Sequence, residues 1–135
     1  MADIYKAGGI LIRDRKILVT RSRGKQSFYA PGGKIEGGET AQQSLVRELK
    51  EEVSIEVEES SLTPFGVFES TVVDNSSLTI RMDVFLVTSW KGEITASSEI
   101  EELAWVDSSI PEGMTVGSIF AHEVIPRLKE QGLVS

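Results

Sequence analysis

Between Pro31 and Val53 a glycine-rich segment runs straight into an amphipathic helix, and this junction constrains the chain more than any other feature. Pro31-Gly32-Gly33-Lys34-Ile35-Glu36-Gly37-Gly38 reads as a loop whose backbone takes unusual angles or approaches something closely. Thr40 is a good N-cap, and Gln43 completes a capping box. Ala41, Leu45, Leu49 and Val53 then recur every fourth residue as an apolar stripe. A glycine-rich turn entering a helix N-terminus lets backbone approach an anion. The segment contains no G-x-G-x-x-G and no Gly-Lys-Ser/Thr, which excludes the dinucleotide fingerprint and the P-loop.

The helix also concentrates carboxylates. Glu48 and Glu52 lie roughly one-eighth of a turn apart around the helix axis, and Glu51 sits on the flank of Glu48. On a helical wheel Glu52 projects between Ala41 and Leu45, inside the apolar stripe. Burying a lone carboxylate costs several kcal/mol, so Glu52 must be paired or bind a metal. Like charges at this spacing repel, and a divalent cation reverses that repulsion. Hard oxygen ligands suit Mg²⁺, with Mn²⁺ as a substitute. Arg47 lies one turn before Glu51 and is placed to orient it by a salt bridge. A solvated acidic face laced with Arg and Lys is the alternative, but it leaves the position of Glu52 unexplained.

The rest of the chain supplies a frame for this junction. Ile10-Leu11-Ile12 and Ile17-Leu18-Val19 flank Arg13-Asp14-Arg15-Lys16 and predict a β-hairpin. Phe28-Tyr29-Ala30 predicts a short strand ending at Pro31. Strands are expected over Leu62 to Val73, Leu78 to Ser89 and Leu103 to Val106, with a turn at Asp74-Asn75-Ser76-Ser77. A last helix is expected over Val116 to Gln131, in two parts because Pro126 removes a backbone donor. Strands and helices alternate irregularly, which implies a mixed sheet with helices packed on it. The 135 residues are expected to form one domain.

The net charge of −7, with no basic stripe, argues against a nucleic-acid polymer as partner. Met1 to Lys6 lacks the features of a secretory signal, and no apolar run reaches membrane-spanning length. With no cysteine in the chain, this predicts a cytoplasmic protein without a membrane partner.

At the loop–helix junction the sequence resembles the Nudix hydrolases, specifically their small MutT-like members. The family box reads G-x5-E-x7-R-E-U-x-E-E-x-G-U, where U is bulky and aliphatic. Gly33, Glu39, Arg47, Glu48, Leu49, Glu51, Glu52 and Ile55 match it at that spacing. Such a match arises by chance in about one chain per million. Ser54 stands where the family has glycine, at a helix end where glycine takes the left-handed cap.

The resemblance implies an α/β/α sandwich around a mixed sheet. It implies that Glu48, Glu51 and Glu52 are metal-binding carboxylates and that the Gly32 carbonyl is a further metal contact. Glu39 and Arg47 would hold loop and helix together, with Arg47 supporting catalysis. The reaction would be water attack on a phosphorus of a diphosphate, assisted by Mg²⁺. A general base or added ligand would come from the acidic segment Ser97 to Val106. Glu99 is the first choice, followed by Glu101 and Glu102, with Glu52 also a candidate.

Substrate contacts are expected from Gly33 and Lys34 in the loop, from Arg23 in the basic patch Arg21, Arg23, Lys25, and from stacking on Phe28. His122, the only histidine, reads as a structural or surface residue. The leading expectation is a nucleoside triphosphate pyrophosphohydrolase that releases a monophosphate and pyrophosphate. Hydrolysis of ADP-ribose, a dinucleoside polyphosphate or a nucleotide sugar is the second reading, and a nucleotide-binding domain without catalysis is the third.

Overall fold

The computed structural model describes residues 2–71 and 78–135. The chain order is β1 (Ile4–Ile10), β2 (Ile12–Arg13), β3 (Lys16–Ser22), β4 (Gly32–Lys34), α1 (Ala41–Val53), β5 (Leu62–Thr71), β6 (Thr79–Val87), β7 (Ile100–Val106) and α2 (Ile125–Glu130). One sheet runs β4-β1-β6-β5 and a second runs β2-β3-β7. In the first, β1 lies parallel to β6 and antiparallel to β4, so the sheet is mixed.

β1 shows how the layers stack. A Cβ on Gly9 would meet Leu45 of α1, whereas one on Gly8 would meet Met82 and Phe120 on the opposite face. Ala7, Leu11 and Leu18 therefore join the core under Leu45, Leu49 and Val53 of α1. Ile10, Ile17 and Val19 join a second core with Phe120, Val124, Ile125 and Leu128 of the C-terminal helical segment. Strands buried on both faces read as continuous apolar runs, which is why Ile10-Leu11-Ile12 shows no alternation. The result is the expected α/β/α arrangement.

The hairpin forms as expected: Ile12 pairs with Ile17, and Arg13 with Lys16. Asp14 and Arg15 both sit at positive φ (52° and 62°), the geometry of a two-residue turn that matches the strand twist. α1 also forms as expected. The Thr40 side chain accepts the Gln43 N–H, and the Gln43 side chain accepts the Thr40 N–H.

Several expectations need correction. Phe28 and Tyr29 make only single bridges, to Val116 and Thr20, because β3 turns from them toward β7. The glycine-rich segment is not all loop: Gly32–Lys34 is a strand that pairs with Lys6, Ala7 and Gly8. Gly32 has φ 143°, and a Cβ there would strike the Ala7 carbonyl, so glycine is what lets β4 lie this close. β7 begins at Ile100 rather than Leu103, because Arg21 and Ser22 extend the pairing with β3. β5 and β6 fall within their expected spans, while Val72, Val73 and the turn Asp74 to Ser77 lie outside the described residues.

The last helix is continuous across Pro126. Phe120–Val124 widens into a π turn in which the Ile125 N–H bonds to the Phe120 carbonyl, and Ile125–Glu130 continues as α-helix. The wider turn accommodates the donor that proline lacks, so no break is needed. Among the described residues no helix is long and apolar enough to cross a membrane.

Candidate active site

The first half of the site is an ion-pair hub on α1. Arg47 binds Glu39 through two hydrogen bonds, Nε to Oε2 at 2.8 Å and Nη2 to Oε1 at 3.0 Å. Its Nη1 reaches Glu48 Oε1 at 2.9 Å and Glu51 Oε2 at 3.5 Å, and its Nη2 donates to the Lys34 carbonyl at 3.3 Å. Glu39 also accepts the Glu36 N–H, which closes the loop between β4 and α1. The Arg47 hydrogen bonds hold the Glu39 carboxyl below its ordinary value. The sequence-predicted pairing of Arg47 with Glu51 is thus present, together with the stronger one to Glu39.

The second half is a pair of desolvated carboxylates. Glu52 is 8% exposed, and its Oε1 accepts the Gly32 N–H at 2.9 Å. Burial pushes its carboxyl up to about 8, opposed by the Gly32 bond and reinforced by the charges of Glu48, Glu99 and Glu51. Burial likewise raises Glu48, with Arg47 pulling it down and Glu51 pushing it up. Glu51 is half exposed.

Gly33 faces α1, and a Cβ there would collide with the Glu48 carboxylate. Its missing side chain is what makes room for Glu48. Gly33→Ala should therefore destabilise the protein by about 1–3 kcal/mol through overpacking. Gly37→Ala, which meets nothing within 4 Å, should stay within about 0.5 kcal/mol of wild type. Urea denaturation of both variants checks this, and equal stability would show that Glu48 yields freely.

A loop from the far end of the chain completes the cluster. The Ser97 N–H donates to the Glu52 carbonyl at 3.0 Å, its Oγ donates to the Glu51 carbonyl, and the Thr95 N–H donates to the Val53 carbonyl. These bonds satisfy the open carbonyls at the end of α1 and bring Glu99 within electrostatic reach of Glu52. Ser54 takes the left-handed cap at φ 65°, and its Oγ donates to the Thr95 carbonyl at 3.2 Å. Serine in place of glycine thus fastens the helix end to the loop that carries Glu99.

Glu101 and Glu102 lie on β7 rather than on a loop. Both accept from Arg21, at 2.8 and 3.1 Å, so strand pairing and this cation hold them. Arg23 sits beside the Glu99 turn, donating its backbone N–H to the Glu99 carbonyl at 2.7 Å.

Beyond the carboxylates, on the α2 face of the first sheet, lies a cavity of about 540 Å³. Lys6, Tyr29, Met82, Phe120 and His122 are among the residues around it. Here the expected substrate contacts change. Phe28 is 6% exposed and belongs to the core, because the chain turns its ring inward under Val116. Tyr29 is 52% exposed and presents the ring that lines the cavity. Gly33 packs on Glu48, and Lys34 and Arg23 are exposed outside the cavity wall. His122 is exposed, as expected, and stands at the cavity.

Lys6 was not apparent from sequence. Burial and the charge of Lys34 hold its ammonium below the ordinary value, partly offset by Glu52. The available signal was a lone cation entering the apolar run of β1.

The fit of this donor set to a divalent cation follows from Glu52. A buried carboxylate held protonated to about pH 8 is a poor resting state for an anion, and a cation bound beside it relieves the desolvation. Glu48, Glu51 and Glu52 supply only oxygen donors, which suit a hard ion. Among the described residues no group of three or more such side chains already forms a closed cage, and Arg47 holds oxygens of Glu48 and Glu51.

Known proteins share both sequence and architecture with this chain. The NUDIX domain family model matches residues 5–115. The 8-oxo-dGTP diphosphatase of Escherichia coli is 43% identical over 100 residues, covering 69% of this chain and 72% of that protein. An ADP-ribose pyrophosphatase of Methanocaldococcus jannaschii is 34% identical over 102 residues, covering 73% of this chain and 59% of that protein. The crystal structure of a MutT NUDIX hydrolase from Burkholderia pseudomallei superposes with a TM-score of 0.72 at 22% identity, covering 95% and 96% of the two chains. With the loop–helix box matched at every position but Ser54 and the fold shared along nearly its whole length, this chain belongs to the Nudix hydrolases, enzymes that act on phosphorus-containing anhydrides.

Proposed function

We propose that the protein hydrolyses a nucleoside triphosphate to a nucleoside monophosphate and pyrophosphate, with Mg²⁺ as its ion and Mn²⁺ as a substitute. The observation that carries this reading is the buried Glu52 carboxylate, whose Oε1 accepts the Gly32 N–H, with a cavity of about 540 Å³ lined by Lys6, Tyr29 and His122 on the α2 face of the same sheet. Cavities of roughly 300–1,000 Å³ accommodate ligands the size of a nucleoside. The relationship to the 8-oxo-dGTP diphosphatase of Escherichia coli supports a triphosphate substrate.

In this reading Glu48, Glu51 and Glu52 hold the cation, with the Gly32 carbonyl as a further contact. When bound, the ion supplies Lewis acidity toward the diphosphate oxygens and makes water a better nucleophile. Water attacks one phosphorus of the α–β anhydride, the P–O bond to the bridging oxygen breaks, and that oxygen leaves with the electron pair as part of the other product. The proton passes to a carboxylate, and Glu99 is the first candidate because its loop is fastened to the end of α1 beside Glu52. Arg47 keeps Glu48 and Glu51 oriented throughout. Lys34 and Arg23, both exposed, are available to the substrate phosphates.

The archaeal ADP-ribose pyrophosphatase favours a second reading, cleavage of a diphosphate between two larger groups. One assay separates the two. The purified protein is incubated with Mg²⁺ and nucleoside triphosphates (oxidised purines included), ADP-ribose, dinucleoside polyphosphates and nucleotide sugars, and products are resolved by chromatography. Selective release of pyrophosphate from triphosphates is the expected result. Turnover of ADP-ribose or a dinucleotide alone replaces the substrate, and turnover of none leaves a binding domain.

A further inference from the structure

Lys6 stands at the cavity wall, within electrostatic reach of Glu52. It lines the cavity from β1 and pairs in register with Lys34 on the neighbouring antiparallel strand β4. Residues directly opposite on such a pair have Cβ atoms roughly 5 Å apart, and like charges there are destabilising. Side chains alternate across a strand, and the neighbouring position Gly33 faces Glu48 of α1. Lys6 and Lys34 therefore share the opposite face, the one that carries the cavity.

Two residues along β4 from Lys34, the Gly32 N–H holds Glu52. Among the described residues no salt bridge to a carboxylate engages Lys6, and none of those lining the cavity is Asp or Glu. A protein of net charge −7 thus sets two lysines opposite each other on one face of the β1–β4 pair, Lys6 at the cavity wall and Lys34 exposed outside it. A like-charge pair of this kind is relieved by an anion lying between the two ammonium groups.

We infer that Lys6, with Lys34 across the strand pair, binds the phosphate attached to the nucleoside. This rests on the nucleotide reading above and adds to it a residue and a site for one phosphate. The donor-only ammonium of Lys6 matches a phosphate oxygen, and because β4 is the edge strand the nucleoside can fill the cavity while the remaining phosphates pass around that edge toward Glu48 and Glu52. The same chemistry would bind free phosphate, so the test must distinguish a phosphate carried by the nucleoside from inorganic phosphate.

Calorimetric titration in Mg²⁺ buffer of wild type, Lys6→Met, Lys6→Arg and Lys34→Met measures binding of a nucleoside, its 5′-monophosphate and inorganic phosphate. The nucleoside is the one the wild-type enzyme turns over best as its triphosphate. Lys6→Met should weaken the monophosphate by roughly tenfold to a hundredfold, the loss of a charged hydrogen bond, and leave the nucleoside unchanged. Lys6→Arg should recover most of that affinity, and Lys34→Met should show the same selective loss. Inorganic phosphate should bind far more weakly than the monophosphate if the nucleoside positions it.

Equal loss for nucleoside and monophosphate would overturn the inference, because Lys6 would then shape the cavity or read the base. Unchanged monophosphate affinity in Lys6→Met would overturn it as well. If Lys6→Met does not fold by circular dichroism, Lys34→Met and Lys6→Arg decide alone, and loss of the rescue counts against it. A wild type that neither binds nor cleaves any nucleotide sinks the nucleotide reading itself and this inference with it. A wild type that turns over nucleotide, with lysine variants that bind like it, sinks only the lysine site.

Discussion

Glu52→Gln should lower kcat by roughly a thousandfold or more and, in the absence of metal, should make the protein more stable above pH 8. The first effect follows from removing a buried carboxylate that serves the metal site and is a candidate base. The amide keeps the shape and an oxygen to accept the Gly32 N–H, so packing should survive. The second effect follows from linkage. The Glu52 carboxyl titrates at about 8 in the folded protein, against an ordinary 4.5. Between those values the folded state retains a proton that the unfolded chain releases, so stability falls as pH rises through this window. Above it the penalty is fully developed, on the order of 3–5 kcal/mol.

Urea denaturation in EDTA at about pH 5 and about pH 9 should show this decline in wild type and a much shallower one in Glu52→Gln. Mg²⁺ should stabilise wild type at the higher pH and have little effect on the variant. Wild-type turnover in Glu52→Gln would remove this carboxylate from the mechanism. A wild-type pH dependence matching that of the variant would show that Glu52 is not desolvated.

Arg47→Met should cost about 2–3 kcal/mol of stability and lower kcat roughly tenfold to a hundredfold. One guanidinium holds Glu39 by a two-point contact and also binds Glu48 and Glu51, so its loss leaves like charges facing one another on adjacent turns. It also frees the loop that ends in Thr40, since Glu39 would keep only its bond from the Glu36 N–H. Arg47→Lys should recover part of the stability and little of the activity, because an ammonium cannot reproduce the fork that meets Glu39. Thermal denaturation and steady-state kinetics of both variants test this. An Arg47→Met enzyme with wild-type kcat would show that the carboxylates find their positions without the hub.

The helix that carries these residues was legible in sequence because its determinants are local. The Thr40–Gln43 capping box, the stripe of Leu45, Leu49 and Val53, and the spacing of Arg47, Glu48, Glu51 and Glu52 all act within a turn or two. The hairpin at Asp14-Arg15 was equally local. The positions that misled were those where a distant strand decides. Gly32–Lys34 looked like loop until β1 paired with it. Phe28 looked available for stacking until Val116 drew it into the core. Glu101 and Glu102 looked like loop acids until β3 supplied both the strand partner and Arg21.

The sequence by itself determined that three carboxylates and one arginine would converge on a helix behind a glycine-rich turn, since helical geometry fixes those spacings whatever surrounds them. Only the tertiary structure decided how strongly each would be desolvated, which acid of the Ser97 to Val106 segment would reach Glu52, and that Lys6 and Tyr29 would border one cavity. Those outcomes depend on the parallel pairing of β1 with β6 and on the Ser97 bonds to the end of α1. Such contacts join residues far apart in the chain, and no local spacing encodes them.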